Sequence, residues 1–141
     1  MAIMKKLRVL VVDDSSIIRK IISKTLKELG TEEIAEAQDG VDALIKLKIC
    51  GRLDLILLDW LMPQMDGLEF LKKLKQDPLY REYREIPVIM VASDIDKAKV
   101  LEAFKAGANN FLAKPFSPAL LEEKISQTLG QERAAPLRRP Q

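Results

Sequence analysis

Short apolar runs alternate along the chain with longer segments in which apolar residues recur every three or four positions. The runs are rich in branched residues, as expected for strands that are buried on both faces of a sheet. They cover residues 7–12, 34–37, 53–58, 86–91 and 110–113. Five such strands, each followed by a helical segment, predict an α/β fold in which a five-stranded parallel sheet is covered by helices on both faces.

The helical segments begin and end at residues that commonly cap helices. Ser15 or Ser16 can cap the first helix, and Gly30 stands where that helix has to stop. We predict the second helix over residues 40–49, the third from Asp66, the fourth over 96–106 and the fifth over 117–130. We expect the first helix to carry one apolar stripe and the second to point its apolar residues inward. In chain order, the apolar residues with helical spacing are Ile17, Ile18, Ile21, Ile22, Leu26, Leu29, Val41, Leu44, Leu47, Leu68, Leu71, Leu74, Val100, Leu101, Phe104, Leu120, Leu121, Ile125 and Leu129.

Composition narrows the class of protein. At 141 residues, with 48% hydrophobic and 31% charged residues, the chain fits one soluble globular domain. We expect residues 1–130 to form this domain and the basic segment 131–141 to be a disordered tail. No apolar stretch approaches the ~20 residues of a membrane helix, so we predict a cytoplasmic protein.

The residue counts also exclude several kinds of chemistry. The sequence contains no histidine, which excludes serine–histidine and cysteine–histidine nucleophile pairs and histidine-bound zinc. The single cysteine, Cys50, can form no internal disulfide, and its apolar neighbours favour a packing role. A net charge of +2 gives no argument for a nucleic-acid partner.

Charged residues follow three of the predicted strands. Asp13 and Asp14 follow the first strand, Asp59 the third and Lys114 the fifth. The carboxyl ends of parallel strands meet at one edge of a sheet, where ligands bind. Clustered carboxylates repel one another unless a cation relieves the repulsion, and Mg²⁺ prefers oxygen ligands of this kind. A phosphoryl site with Asp59 as nucleophile and Lys114 as counter-charge would account for these four residues.

The alternative is that these residues only shape turns. Aspartate is frequent after strands because it favours turns and helix caps, so a single one would be structural more often than not. Two adjacent aspartates, a third at another strand end and a lysine at a further strand end favour the chemical explanation.

Three motifs, in this order and with this spacing, resemble those of the receiver domain of two-component response regulators, in particular the single-domain chemotaxis-like type. The motifs are Val11-Val12-Asp13-Asp14, Leu58-Asp59-Trp60-Leu61-Met62-Pro63 with Gly67, and Lys114-Pro115-Phe116. The resemblance covers about residues 5–130. It implies a flavodoxin-like (βα)5 fold with strand order 2-1-3-4-5, and a phosphorylation-controlled signalling domain rather than an enzyme.

The resemblance also implies a role for individual residues. Asp59 would be the phosphoacceptor, and the side chain of Lys114 would contact the phosphoryl group. The peptide bond from Lys114 to Pro115 would be cis. The implied cofactor is Mg²⁺, held by Asp13, Asp14, Asp59 and the backbone carbonyl of Leu61.

The sequence departs from the family pattern at the implied switch. The fourth strand of the family usually ends in Thr or Ser, which hydrogen-bonds the phosphoryl group, but this chain has Ala92. Ser93 could substitute, although its side chain should point away because side-chain direction alternates along a strand. Phe111 stands at the aromatic switch position, where it either rotates or simply fills the core. Leu61, two residues after the acceptor, cannot position an attacking water, so we predict slow loss of the phosphoryl group.

Partners follow from the same resemblance. The donor would be a histidine kinase or a phosphotransfer protein, and a downstream protein would bind the face of the fourth helix, fifth strand and fifth helix, near Lys97, Lys105 and Phe111. We expect a monomer without nucleic-acid or membrane contact. One alternative is a phosphorylation-independent adaptor, which Ala92 supports. An aspartate-nucleophile phosphatase is disfavoured because Leu61 occupies the place of its second acid.

Overall fold

The five predicted strands form one parallel sheet in the order β2-β1-β3-β4-β5. The computed structural model describes residues 7–93 and 96–138, with side chains up to residue 130. The strands are β1 (Arg8–Val12), β2 (Glu33–Ala37), β3 (Leu55–Asp59), β4 (Val88–Ala92) and β5 (Asn110–Ala113). The fold class and the strand order expected from the sequence are both confirmed. Strand boundaries differ from the predicted ones by two residues at most, because ladder hydrogen bonds rather than apolar runs define them.

A helix follows each strand, as predicted. The helices are α1 (Ser16–Glu28), α2 (Gly40–Cys50), α3 (Gly67–Gln76), α4 (Lys97–Ala106) and α5 (Pro118–Arg138). The connection between α3 and β4 contains a 3-10 helix, Pro78–Tyr83. Within the described residues, none of the helices is both long enough and apolar enough to span a membrane.

Side-chain caps fix the helix starts at the edge of the sheet where β1, β3 and β4 end. The hydroxyl of Ser15 accepts a hydrogen bond from the Ile18 amide, which identifies the cap of α1. Asp66 begins α3 with a capping box, because its carboxylate accepts from the Glu69 amide while the Glu69 carboxylate accepts from the Asp66 amide. Asp96 caps α4 in the same position by accepting from the Lys99 amide.

The sheet separates two apolar layers. Side chains such as Leu10, Leu58 and Met90 face one layer with residues of α2, α3 and α4, whereas Val11 and Leu57 face the other with residues of α1 and α5. Alternate residues of a strand therefore enter the two layers, which explains why the central strands β3 and β4 are almost continuously apolar, whereas the edge strand β2 carries Glu33 and Glu36.

Several apolar residues with helical spacing are not buried, and for Val41 this contradicts the prediction that it points inward. Ile17 and Ile21 of α1 are 70% and 53% exposed, and Val41 of α2 is 42% exposed. In α4, Leu101 and Phe104 are also exposed, and alanines at positions 103 and 106 are buried instead. In α4 the buried residues are alanines, which allow the helix to approach the sheet closely and leave its larger side chains outside the layer.

The last helix also differs from the prediction. We expected it to end at Gly130, but the structure continues α5 to Arg138. The division of the chain into a domain and a disordered tail at this point stays a prediction, and residues 139–141 of that tail lie outside the described residues.

Candidate functional site

The three aspartates expected at the sheet edge lie close together. One ligand oxygen from each of Asp13, Asp14 and Asp59 lies within 4.8 Å of the others. β1 and β3 are neighbours in the sheet, with Val12 paired to Leu58, so the residues that end these two strands come side by side. Asp13 and Asp59 are buried, whereas Asp14 is exposed. The cluster therefore opens to solvent on the side of Asp14.

Lys114 joins the cluster as predicted. Its Nζ lies 2.9 Å from Oδ2 of Asp13 and 3.1 Å from Oδ1 of Asp59. Its amide donates to the carbonyl of Ala92 at 2.9 Å, which continues the β4–β5 ladder and sets the side chain at the strand end. The peptide bond from Lys114 to Pro115 is cis, as the resemblance implied.

Local hydrogen bonds hold Asp13 in place. Its amide donates to the carbonyl of Ala37 at 3.1 Å, and its Oδ1 accepts from the Ser15 amide at 2.9 Å. The guanidinium of Arg19 donates to the Asp13 carbonyl at 2.7 Å. One carboxylate oxygen thus accepts a hydrogen bond within the turn that leads into α1, and the other accepts one from Lys114.

The cluster is electrostatically crowded. The pKa of Asp59 is raised from 3.8 to about 6: burial is the largest cause, the nearby Asp13 charge adds to it, and Lys114 opposes both effects. Burial by itself would lower the pKa of Lys114, but its hydrogen bonds to Asp13 and Asp59 outweigh this and raise it. Lys114 relieves only part of the repulsion among the three carboxylates, so the site favours a further cation.

The loop after β3 wraps closely around the end of that strand. The Trp60 amide donates to the Val91 carbonyl at 2.9 Å, and the Gly67 amide donates to the Trp60 carbonyl at 2.8 Å. A Cβ on Gly67 would collide with the backbone of Asp59 and would lie 3.0 Å from Cα of Trp60. Glycine is therefore required at this point.

A small pocket of about 70 Å³ lies beside Asp59. It is lined by Asp59, Trp60, Leu61, Ala92, Ser93, Lys99 and Lys114. Lys99 was not a candidate from the sequence, because a lysine in the first turn of a helix has the appearance of a solvated surface residue. Its Nζ lies 5.8 Å from the centroid of the Trp60 ring.

The residues at the implied switch positions lie at the end of β4 and around the pocket beside Asp59. Ala92 is the last residue of β4 and is buried, with its methyl side chain in the layer of α2, α3 and α4. Ser93 lies after the strand end, where strand alternation no longer fixes direction, and it is exposed at the pocket. Phe111 is only 8% exposed, and its ring centroid lies 6.3 Å from that of Trp60. Leu61 is 69% exposed at the mouth of the pocket.

The donor set fits a hard divalent cation. Such an ion takes carboxylate and carbonyl oxygens together with water, and here three carboxylates converge beside a solvent-open side. No other trio of acidic or metal-binding side chains comes as close together in the part of the chain that the structure describes. The residues present are therefore suited to Mg²⁺.

A parallel sheet of this strand order, with three aspartates and a lysine at one edge, defines the class of α/β receiver domains. Residues 9–126 match the response regulator receiver domain family, and the chain belongs to this family. Receiver domains of this kind are components of two-component signal transduction.

Relatives support the same family assignment. The chain is 44% identical over 124 residues to chemotaxis protein CheY1 of Helicobacter pylori, which covers 88% of this chain and 98% of that protein. It is 43% identical over 124 residues to the chemotaxis protein CheY homolog of Campylobacter jejuni, covering 88% of this chain and 93% of that protein. The solved structure of Vibrio cholerae chemotaxis protein CheY4 is similar with a TM-score of 0.77 and 36% identity, covering 87% of this chain and 98% of that one.

Proposed function

We propose that this chain is a phosphoacceptor signalling domain in which Asp59 takes a phosphoryl group from a phosphohistidine on a histidine kinase or phosphotransfer protein. In this transfer the bond between phosphorus and the donor nitrogen breaks, and a bond forms between phosphorus and a carboxylate oxygen of Asp59. The observation that carries the proposal is the convergence of Asp13, Asp14 and Asp59 within 4.8 Å, with Lys114 bridging two of them.

The charges of the site suit this reaction. A pKa of about 6 leaves the Asp59 carboxylate largely ionised at neutral pH, as a nucleophile must be. Lys114 lies within hydrogen-bond distance of the acceptor and can neutralise a phosphoryl oxygen as negative charge builds. Mg²⁺, when bound, supplies further charge neutralisation. Its proposed ligands are Asp13, Asp14, Asp59 and the backbone carbonyl of Leu61.

Intact mass spectrometry with a small phosphodonor and Mg²⁺ tests the acceptor. The wild type should gain one phosphoryl group, and Asp59→Asn should gain none. Asp54→Asn is the matched control, because it removes a carboxylate just before the opposite end of the same strand. Equal phosphoryl gain in Asp59→Asn and wild type would refute the assignment, and equal gain in EDTA would refute the requirement for a divalent cation.

The proposed output is binding to a downstream protein rather than catalysis. The relatives are chemotaxis proteins, which supports a chemotaxis-like role for this chain. The face of α4, β5 and α5 is the proposed binding surface, and the exposed Leu101 and Phe104 give it apolar contacts beside Lys97 and Lys105. Phe111, which the sequence suggested as part of this face, is buried and contributes to it only if its ring rotates outward.

A phosphorylation-independent adaptor is the second candidate, and the buried methyl group of Ala92 favours it. Without a hydroxyl at the end of β4, one hydrogen bond to a bound phosphoryl group is missing. Beryllofluoride with Mg²⁺, a mimic of the phosphoryl group, distinguishes the two candidates. A change in Trp60 fluorescence together with a change in partner affinity supports the phosphoacceptor, and no change in either supports the adaptor.

A further inference from the structure

We propose that Arg19 is a positioning residue for the metal site and that Glu36 neutralises its charge, so that Arg19 does not repel the cation. Arg19 acts through the backbone of Asp13 and does not itself contact the ion. The inference rests on the proposed function, in which Asp13 and Asp14 are ligands of Mg²⁺. It adds one residue of α1 and one residue of β2 to the site.

The guanidinium of Arg19 joins two parts of the chain at the carboxyl edge of the sheet. Its Nη1 donates to the carbonyl of Asp13 at 2.7 Å, and its Nε donates to Oε1 of Glu36 at 3.0 Å. Asp13 follows β1 and Glu36 lies in β2, so a side chain of α1 ties two neighbouring strands together. The planar fork of arginine makes both contacts at once, whereas a lysine has only one ammonium to place.

Glu36 is held by both helices that flank it. Its Oε2 accepts from the hydroxyl of the buried Ser23 in α1 at 3.2 Å. Its backbone carbonyl accepts from Nζ of Lys46 in α2 at 2.6 Å. The side chain of Arg19 is only 17% exposed, so water has little access to the contact between Arg19 and Glu36. Glu36 therefore gives the guanidinium a fixed anchor.

The carbonyl that Arg19 binds belongs to the peptide group between Asp13 and Asp14. A peptide group is rigid and planar, so a hydrogen bond to its oxygen restricts the backbone rotation of the residues on both sides. These residues are the two adjacent carboxylates of the metal site. Groups that orient metal ligands indirectly contribute roughly 10- to 100-fold to metal affinity. A single contact of Arg19 thus orients both ligands.

The pairing with Glu36 also balances the charge of Arg19. An unpaired guanidinium beside the site would repel a divalent cation, whereas arginine and glutamate together carry no net charge. Charge and positioning consequently predict effects of opposite sign. If only the charge of Arg19 mattered, its removal would strengthen Mg²⁺ binding, because the negative charge of Glu36 would remain. If Arg19 positions Asp13, its removal weakens Mg²⁺ binding.

The test is a Mg²⁺ titration followed by the fluorescence of Trp60, the one tryptophan of the sequence and the neighbour of Asp59. Arg19→Met, which keeps an unbranched side chain without charge, should bind Mg²⁺ about tenfold more weakly than the wild type. Arg19→Lys should also bind it more weakly, because the charge remains but the fork is lost. Arg8→Met is the matched control and should leave the affinity unchanged, because Arg8 pairs with Glu33 at 2.8 Å at the other end of β1 and β2.

Glu36→Gln tests the neutralising role. Its amide oxygen can still accept from Arg19, but the charge of the guanidinium is no longer balanced. Mg²⁺ should bind about threefold more weakly at low salt, and the difference should shrink in ~0.5 M NaCl. The loss in Arg19→Met should persist at both salt concentrations, because it arises from geometry. Glu33→Gln is the control and should change the affinity at neither.

Circular dichroism checks that each variant is folded during the titration. Wild-type or tighter Mg²⁺ binding in Arg19→Met would overturn the positioning role, and so would an equal loss in Arg8→Met. If the wild type itself shows no response to Mg²⁺, the proposed cation site fails, and the inference fails with it. If the wild type binds Mg²⁺ but gains no phosphoryl group, the function of Asp59 as acceptor fails, whereas a loss of affinity in Arg19→Met still supports the role of Arg19.

Discussion

Replacing Asp59 with asparagine should make the metal-free protein more stable at neutral pH. The Asp59 side chain is buried, and its pKa is raised from 3.8 to about 6, first by burial and then by the charge of Asp13, against the opposing effect of Lys114. Asparagine keeps an oxygen that can accept a hydrogen bond from Lys114 but carries no charge. The substitution therefore removes the crowded charge and retains the packing.

The magnitude follows from the pKa. A carboxyl whose pKa is higher in the folded than in the unfolded state costs stability when it ionises. This cost is absent below pH ~4, grows between pH ~4 and ~6 and is complete above that range. The difference between 3.8 and about 6 corresponds to about 3 kcal/mol. Solvent at the open side of the cluster screens part of this, so we expect a gain of ~1–2 kcal/mol.

Urea unfolding followed by circular dichroism in EDTA measures the effect. Asp59→Asn should exceed the wild type by this amount at pH ~8, and the difference should shrink toward pH ~4.5. Asp54→Asn is the control, because Asp54 lies outside the cluster, where its carboxylate accepts a 2.9 Å hydrogen bond from the Arg8 amide. This control should bring no gain in stability. Adding Mg²⁺ should stabilise only the wild type and reduce the difference. Equal stability of wild type and Asp59→Asn at pH ~8 would show that the crowding has no energetic consequence.

Three further substitutions, the first with a matched control, have defined expectations. Gly67→Ala should cost ~1–3 kcal/mol in urea unfolding, because its Cβ would lie 3.0 Å from Cα of Trp60. Gly130→Ala, inside α5 and with open space around its Cβ, should cost nothing and should stabilise slightly, and similar losses in the two variants would contradict the steric argument. Leu61→Asn should speed loss of radiolabelled phosphoryl, because an amide can position a water; a half-life of seconds in the wild type would refute slow loss. Phe70→Ala should cost ~3–5 kcal/mol, since Phe70 is fully buried, and a loss below ~1 kcal/mol would mean that the layer refills the space.

The sheet and the charged edge could be predicted because topology determines both. Parallel strands bring their carboxyl ends to one edge, so Asp13, Asp14, Asp59 and Lys114 had to converge once the strands were recognised. The width of the buried helix faces could not be predicted in this way. Helical spacing identifies a stripe, but the buried Ala103 shows that small residues determine how closely a helix approaches the sheet, and this leaves larger residues outside.

Two residues show why other parts of the site and core were missed. Lys99 has a solvated sequence context, and only the folded helix start brings it to Trp60. Phe70 lies between the leucines that define the stripe of α3, yet it is fully buried because the helix packs with a wider face than the spacing suggests. Ser93 shows a third limit, because the alternation rule applies only inside a strand and β4 ends one residue earlier.

The position of Asp59 in the sheet also determines which parts of the structure can move when its side chain is changed. β3 is hydrogen-bonded to β1 on one side and to β4 on the other, and the Trp60 amide extends the β4 ladder past Asp59. A strand bound along both edges cannot shift without breaking two ladders at once. A group added at Asp59 must therefore be accommodated by the surrounding loops and helix starts. The central strands keep their positions, and the conformational change is confined to the carboxyl edge of the sheet.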